Sequence, residues 1–337
     1  MKINLTYDDV LIVPQYSEVR SRSDVDISTD LGKGIKLRLP IISSPMDTVS
    51  EADMASEMSR NGGLSILHRY CTINEQLAML LSAKHEGRLV GAATGVTGDY
   101  LERAKELAYN GCDLICVDVA HGHHILMKEA LAALKANLPE NVHLMAGNVA
   151  TLDGLNDLAD WGADSVRANI GSGAACSTKI ETGHGVPGLA TLFECAKTDR
   201  DVKIIADGGI RNAGDIVKAL AAGADAVMVG SILAGTNEAP GRVFKDSNGL
   251  MRKEYRGMAS ASAQHDWRAK VASNEGVSSS VPMIGKLEDT LYELERGIRS
   301  GFSYSGAFAL KELQQKAKFI QQTRASMIES APHILTR

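Results

Sequence analysis

The residues with the plainest chemical capacity lie in one glycine-rich loop. It reads Asn169-Ile170-Gly171-Ser172-Gly173-Ala174-Ala175-Cys176-Ser177-Thr178-Lys179 and follows a short run over Asp164 to Ala168 that reads as a strand. Gly171 and Gly173 can take φ > 0 without steric cost, which lets their carbonyls turn toward a cation or a ligand. Cys176 sits where the strand has just ended, and Thr178 supplies a hydroxyl two residues on. A thiolate is nucleophilic near neutral pH and can also leave, so this pair suits covalent catalysis. Taken alone, the same thiol reads equally well as a small buried hydrophobe.

Such a loop needs a scaffold that delivers several strand ends to one face. Short apolar runs recur at Leu39–Ser43, Gly63–Leu67, Leu89–Ala93, Leu114–Val119, His143–Ala146, Ser165–Ala168, Lys203–Ala206 and Ala226–Val229. Helix-length stretches alternate with them: Glu51–Arg60, Ile73–His85, Tyr100–Asn110, His124–Asn137, Leu152–Trp161, Pro187–Lys197 and Ala213–Ala222. Near-continuous apolar strands alternating with helices mean a parallel sheet buried on both faces. Eight of them predict a closed (β/α)8 TIM barrel, whose active site lies at the C-terminal ends of the strands. Those ends read Ser44-Pro45-Met46-Asp47, His68-Arg69, Thr94-Gly95, Asp118 to His123, Gly147-Asn148, Gly171-Ser172-Gly173, Asp207-Gly208-Gly209 and Gly230-Ser231. The last two are typical of the phosphate site that barrels build after strands 7 and 8. The chain divides into an N-terminal arm (1–38), a barrel core (39–250) and a C-terminal part (251–337), all within one domain. The last part carries a short flap-like segment and amphipathic helices at Leu287–Ser300 and Ala307–Ala325.

Bulk composition agrees with a soluble enzyme. The chain has 337 residues, 44% of them hydrophobic and 23% charged, enough for a large core. A net charge of −5 with scattered basic residues argues against nucleic-acid binding. Five cysteines in no zinc-type pattern point to free thiols in a reducing cytoplasm. No apolar signal region opens the chain and no apolar run of membrane-spanning length occurs, so no membrane role is expected.

With these residues assembled, the chain resembles the family of IMP dehydrogenases and GMP reductases almost end to end. The resemblance rests on Leu5-Thr6-Tyr7-Asp8-Asp9-Val10-Leu11, Ser44-Pro45-Met46-Asp47-Thr48-Val49, Ala146-Gly147-Asn148-Val149, the Gly171-to-Thr178 loop, Ala206-Asp207-Gly208-Gly209-Ile210 and Tyr255-Arg256-Gly257-Met258. It implies that Cys176 attacks C2 of a purine nucleotide (GMP or IMP), with Thr178 and Glu275 handling protons. Asp207 would accept from the ribose hydroxyls, and Gly209, Gly230 and Ser231 would hold the phosphate. Ser44, Met46, Tyr255 and Gly257 join the nucleotide side, and Met258 lies along the base. Asp118, Ala120, Asn148 and Tyr304 would meet a nicotinamide dinucleotide. Carbonyls of Gly171, Gly173 and Cys176 would hold a monovalent cation, K+. The family associates as homotetramers.

Two activities share this framework. Dehydrogenases oxidise IMP to XMP with NAD and then hydrolyse the covalent intermediate, using an Arg-Tyr pair on a mobile flap. Here only sixteen residues, Ala259 to Asn274, separate Met258 from Glu275, without an Arg-Tyr pair. The CBS modules usual in dehydrogenases are missing too, since Ala83 to Arg88 runs straight into strand 3. Both absences favour NADPH-dependent reductive deamination of GMP to IMP and ammonia through a thioimidate at Cys176. An IMP dehydrogenase using NAD, or an inactive purine-nucleotide-binding relative, are the alternatives. Two departures stand out: Ala174 replaces a usual serine, and Arg167-Ala168-Asn169 replaces a usual Lys-Val-Gly.

Overall fold

The computed structural model describes residues 4–85, 87–268, 271, 274–330 and 332. The start of the arm (1–3), position 86 before strand 3, positions 269, 270, 272 and 273 of the flap-like segment, and positions 331 and 333–337 of the C-terminal part lie outside the described residues.

The eight apolar runs form the strands β1 (Ile41–Ser43), β2 (Leu64–Leu67), β3 (Gly91–Thr94), β4 (Leu114–Asp118), β5 (His143–Val149), β6 (Ser165–Ala168), β7 (Lys203–Asp207) and β8 (Ala226–Val229). All pair in parallel, and β8 returns to β1 with Val227 opposite Ile41, Met228 opposite Ile42 and Val229 opposite Ser43. The sheet is thus a closed barrel. Helices α1 (Ala52–Arg60), α2 (Ile73–Ala83), α3 (Tyr100–Tyr109), α4 (Ile125–Asn137), α5 (Leu152–Asp160), α6 (Gly188–Cys195) and α7 (Ala213–Ala221) alternate with the strands. Alternate strand residues fill the lumen, among them Ile42, Ile66, Cys116, Met145, Ile205 and Met228. Leu31, Ile35 and Leu37 of the arm join the same buried cluster and plug one end of it. Among the described residues no helix is long and apolar enough to cross a membrane.

The C-terminal part departs from expectation in three ways. Val243–Lys245 (β9), Met251–Arg256 (β10) and Ser278–Pro282 (β11) form an antiparallel sheet that the sequence reading missed. Between β10 and β11, α8 (Ala261–Arg268) follows the Tyr-Arg-Gly-Met stretch. The helix expected at Leu287–Ser300 runs on as α9 (Leu287–Tyr304), taking in most of the stretch from Gly301 to Gly306 between the two expected helices. Its buried stripe, Leu287, Leu291, Leu294, Ile298 and Phe302, keeps helical spacing through Gly301. Gly297 and Gly301 are there for contact with α7: an added Cβ would lie 2.4 Å from Ala213 Cβ or 2.6 Å from Val217 Cγ2. The expected helix Ala307–Ala325 is broken into α10 (Leu310–Lys316), a strand β12 (Phe319–Gln321) and α11 (Arg324–Glu329). β12 pairs antiparallel with Val10–Ile12 of the arm, which gives the polar C-terminal segment its hydrogen-bond partners.

Because Phe302 is fully buried, Phe302→Ala should destabilise the chain by about 3–5 kcal/mol, read as a lower denaturant midpoint. A loss below about 1 kcal/mol would mean that Phe302 is not part of the packed core.

Candidate active site

The nucleophile candidate is held by two segments that meet above the barrel. Cys176 N–H donates to the Gly173 carbonyl (3.0 Å), closing the loop on itself. Ser177 N–H donates to the Glu275 carbonyl (2.9 Å) and Val277 N–H to the Ala175 carbonyl (3.0 Å), so the strand entering β11 pins the loop from the far side. These ties bring Cys176 Sγ within 3.2 Å of Thr178 Oγ1. Thr178 Oγ1 in turn donates to Glu275 Oε2 at 2.9 Å. Thiol, hydroxyl and carboxylate therefore form one chain along which a proton can travel. Gly171 takes φ +87°, whereas Gly173 is not among the glycines at positive φ.

Facing them is a buried ion network at the ends of β4, β6 and β7. Asp207 Oδ2 accepts from Arg167 Nη2 at 2.8 Å, Arg167 Nε at 3.1 Å and Asn148 Nδ2 at 2.7 Å. The other edge of the same guanidinium donates through Nη1 to Asp118 Oδ1 at 2.5 Å. Burial opposes the charge of Arg167, but Asp207 and Asp118 hold the guanidinium above its ordinary range. Asn169, next but one in the chain, sits at φ +136°, a backbone region that side chains rarely adopt. Its Nδ2 donates to the Asp207 carbonyl at 2.7 Å, a bond that a glycine at this position could not make.

At the β8 end the site turns to hydroxyls and backbone. A Cβ on Gly230 would lie 3.1 Å from Met46 Sδ, 3.3 Å from Tyr255 Oη and 3.5 Å from Ser44 Oγ, so these groups converge on one bare stretch of main chain. Burial, and then Asp207, push the Tyr255 phenol up to about 12, so it stays a neutral donor. Tyr7 of the arm comes within 3.6 Å of where side chains on Gly188 or Gly209 would begin, and so backs the loops from below. Arg256 ties the rim to the flap-like segment, bonding Asp47 Oδ2 and Asp266 Oδ2 at 2.6 Å each. On the same helix Trp267 stacks on Tyr70, with ring centroids 6.0 Å apart.

The thiol chain, the ion network and the β8 end open on one cleft of about 420 Å³. It is lined by every residue that the sequence singled out except one: Cys176, Thr178, Glu275, Ser44, Met46, Asp207, Gly209, Gly230, Ser231, Tyr255, Gly257, Met258, Asp118, Ala120, Asn148, Gly171 and Gly173. Tyr304 is the exception. It ends α9 exposed, with its carbonyl accepting from Gln15 N–H, and does not line this chain's cleft. Ala174 lines the cleft without a hydroxyl to offer. A second cavity of about 510 Å³ adjoins across Arg69 and Val119 and reaches Gly95–Asp99 and Trp267. The sequence reading gave no role to Arg69, Tyr70 or Tyr7. The first two stand just past β2 and Tyr7 in the apolar piece of the arm, which was the available signal.

The comparisons agree with this geometry. The model of the IMP dehydrogenase / GMP reductase domain matches residues 4–333. The chain is 33% identical to the inosine-5'-monophosphate dehydrogenase of Nitrosopumilus maritimus, covering 98% of each chain. It is 34% identical to the GMP reductase of Leishmania major, covering 99% of this chain and 97% of that one. A crystal structure of a GMP reductase variant from Trypanosoma brucei in complex with guanosine 5'-monophosphate superposes with a TM-score of 0.92 at 31% identity, covering 99% and 98% of the two chains. The two sequence alignments run over 470 and 479 positions against a chain of 337. Both the dehydrogenase and the reductase therefore carry sequence that this chain lacks, and the missing insertion does not discriminate between the two activities.

The five thiols differ in accessibility. Cys176 is partly exposed, while Cys71, Cys112, Cys116 and Cys195 are buried. Burial pushes Cys71 up to about 11 and the other three up to about 12. Iodoacetamide on the folded chain at pH 8 should therefore label Cys176 alone, with the other four reacting only in denaturant. Peptide mass mapping checks this, and equal labelling of two or more cysteines in the folded chain would refute it.

Proposed function

The chain belongs to the IMP dehydrogenase / GMP reductase family, and from that premise we propose that it is a GMP reductase, converting GMP to IMP and ammonia at the expense of NADPH. The observation that carries the reading is the chain from Cys176 through Thr178 to Glu275, 3.2 and 2.9 Å long, opening on a cleft with a carboxylate and a hydroxyl-rich end. Asp207 suits a ribose, and Gly209, Gly230, Ser231, Ser44 and Tyr255 suit its phosphate. Cys176 Sγ adds to purine C2, and the 2-amino group leaves as ammonia with a proton delivered along Thr178 and Glu275. The product is a thioimidate on Cys176. When bound, the reduced dinucleotide supplies a hydride to C2, after which the thiolate leaves. One GMP, one hydride and two protons thus give IMP and ammonium.

The residues fit both accessory groups. Two adjoining cavities of about 420 and 510 Å³, meeting at Arg69 and Val119, have room for a nucleotide and the far half of a dinucleotide, with Asp118, Ala120 and Asn148 lining the first. Neutral carbonyls at Gly171, Gly173 and Cys176 suit a monovalent cation such as K+, and among the described residues no carboxylate-histidine-cysteine cluster competes for a divalent one. Reduction is preferred over oxidation because a dehydrogenase must also activate a water. The sixteen residues from Ala259 to Asn274 hold no Arg-Tyr pair, and Asp266 and Trp267 within them are committed to Arg256 and Tyr70. IMP oxidation with NAD is the second reading, favoured by the 33% identity to a dehydrogenase. As in its family, the working form is taken to be a homotetramer.

Mixing GMP, dGMP, IMP and XMP with each reduced and oxidised dinucleotide, and following nicotinamide absorbance, tests the proposal. NADPH with GMP should be the fastest pair, faster in K+ than in its absence, with ammonium released. Steady NADH formation from IMP with free XMP would overturn it, and binding without turnover of any pair would point to an inactive relative. Cys176→Ser should lose several orders of magnitude in kcat, because an unassisted alcohol is a poor nucleophile. Glu275→Gln, which keeps the hydrogen bond but not the base, should lose about 10²–10⁴-fold. Near-normal turnover in either variant would remove its residue from the mechanism.

A further inference from the structure

Arg167 is fixed between two carboxylates to which the preceding reading gives different ligands. Its Nε and Nη2 edge holds Asp207, the ribose acceptor, and its Nη1 edge holds Asp118, on the dinucleotide side. The side chain is 8% exposed, and Cys116 Sγ in the barrel lumen is a third neighbour, 3.6 Å from Nη1. We propose that Arg167 is a positioning residue that couples the two halves of the cleft, so that a nucleotide on Asp207 strengthens binding of the dinucleotide at Asp118, and the reverse. This rests on the ligand assignments of the proposed function, though not on the direction of the reaction.

The argument is geometric. A guanidinium is planar and rigid, so its two edges cannot turn independently. The three bonds to Asp207 Oδ2, one from Asn148 and two from Arg167, fix the tilt of that plane whenever Asp207 is held. The tilt then sets where Nη1 lies, and Nη1 sets Asp118 Oδ1. Arg69 steadies the same residue from its main chain, donating from Nη2 to the Asp118 carbonyl at 3.1 Å. The coupling therefore passes through the Asp118 side chain and not through movement of β4. A ligand whose hydroxyls grip Asp207 reduces the wobble of the whole row, and the second ligand meets an Asp118 already in position. By linkage the effect is reciprocal. A lysine here would be a single flexible ammonium without the fork needed to hold two carboxylates rigidly at once.

The test uses IMP with NADPH, a pair that cannot react because nothing in it accepts a hydride, whichever of the two chemistries the enzyme performs. The full chain is titrated with NADPH, following nicotinamide fluorescence, with and without saturating IMP. In the wild type IMP should lower the NADPH Kd by about fivefold or more, the usual scale of such coupling. NADPH should lower the IMP Kd by the same factor. In Arg167→Lys the ratio should fall below about twofold, whatever happens to the separate affinities; a merely structural role would weaken binding and leave the ratio alone. Asp118→Asn, which keeps the shape but not the charge, should lose the coupling too and guards against an Arg167→Lys chain that does not fold. A ratio unchanged in the variants, or absent from the wild type, overturns the coupling while a working GMP and NADPH turnover leaves the reductase reading standing. Coupling lost on substitution, in a chain that does not reduce GMP, supports the network and rejects that reading. A wild-type chain that binds neither ligand rejects both.

Discussion

The parallel pairing of β8 with β1 is the constraint on which the site depends. Three register pairs, Val227 with Ile41, Met228 with Ile42 and Val229 with Ser43, turn an open sheet into a ring. All eight strands run the same way, so every C-terminal end meets one rim, and residues as far apart in sequence as Ser44, Asp118, Arg167, Asp207 and Gly230 line one cleft. The lumen under that rim is packed with apolar side chains, and Cys116 belongs both to the lumen and to the surroundings of Arg167. The Asp–Arg–Asp row thus rests on a dry floor, where an unpaired charge would be costly and a paired one is held firmly.

The barrel does not hold the nucleophile by itself. The Cys176 loop leaves β6, and its Cys176 end is pinned where the chain returns, some hundred residues later, with Glu275 and Val277 bonded across it. Thr178 and Glu275 are 97 positions apart in sequence, yet their side chains meet at 2.9 Å because of those backbone ties. Anything that shifts the strand entering β11 therefore moves the thiol and its proton chain together. The same returning stretch carries α8, which Arg256 and Asp47 moor to the β1 loop. Nucleophile, proton chain and mouth of the cleft are thus a single mechanical unit resting on the rim.

The strands were legible because parallel strands buried on both faces must be apolar almost throughout, and only their ends shifted. β5, for instance, runs three residues past the expected Ala146, to Val149, carrying the polar Asn148 into the rim. The antiparallel sheet was illegible for the opposite reason. Met251–Arg256 is mostly charged and Ser278–Pro282 mostly serine, so neither shows the apolar pattern that marks a strand; each forms because the other supplies its hydrogen bonds. In α9 Gly301 read as a break, although it and Gly297 are what let the helix sit against α7. At the site, residues belonging to continuous motifs could be named in advance. Arg167 could not be given a role, since its carboxylate partners lie 49 residues before it and 40 after it. It was visible only as a departure from a pattern.

That contrast bears on how the two activities of the family divide. The rim residues serve steps that reduction and oxidation share: gripping a purine nucleotide, adding a thiol to it and aligning a dinucleotide. Similar identity to relatives of either name, 33% and 34%, is what a shared rim produces. The activities share the thioimidate but reach it differently, by loss of hydride from IMP or of ammonia from GMP, and after it a dehydrogenase must bring a water to the carbon whereas a reductase must bring a hydride. What stands over the mouth of the cleft therefore weighs more than the number of matching motifs. In this chain that place is held by a short helix moored through Asp266 to Arg256 and through Trp267 to Tyr70. Both contacts tie it to the rim, and neither supplies the Arg-Tyr pair that a dehydrogenase uses to activate water.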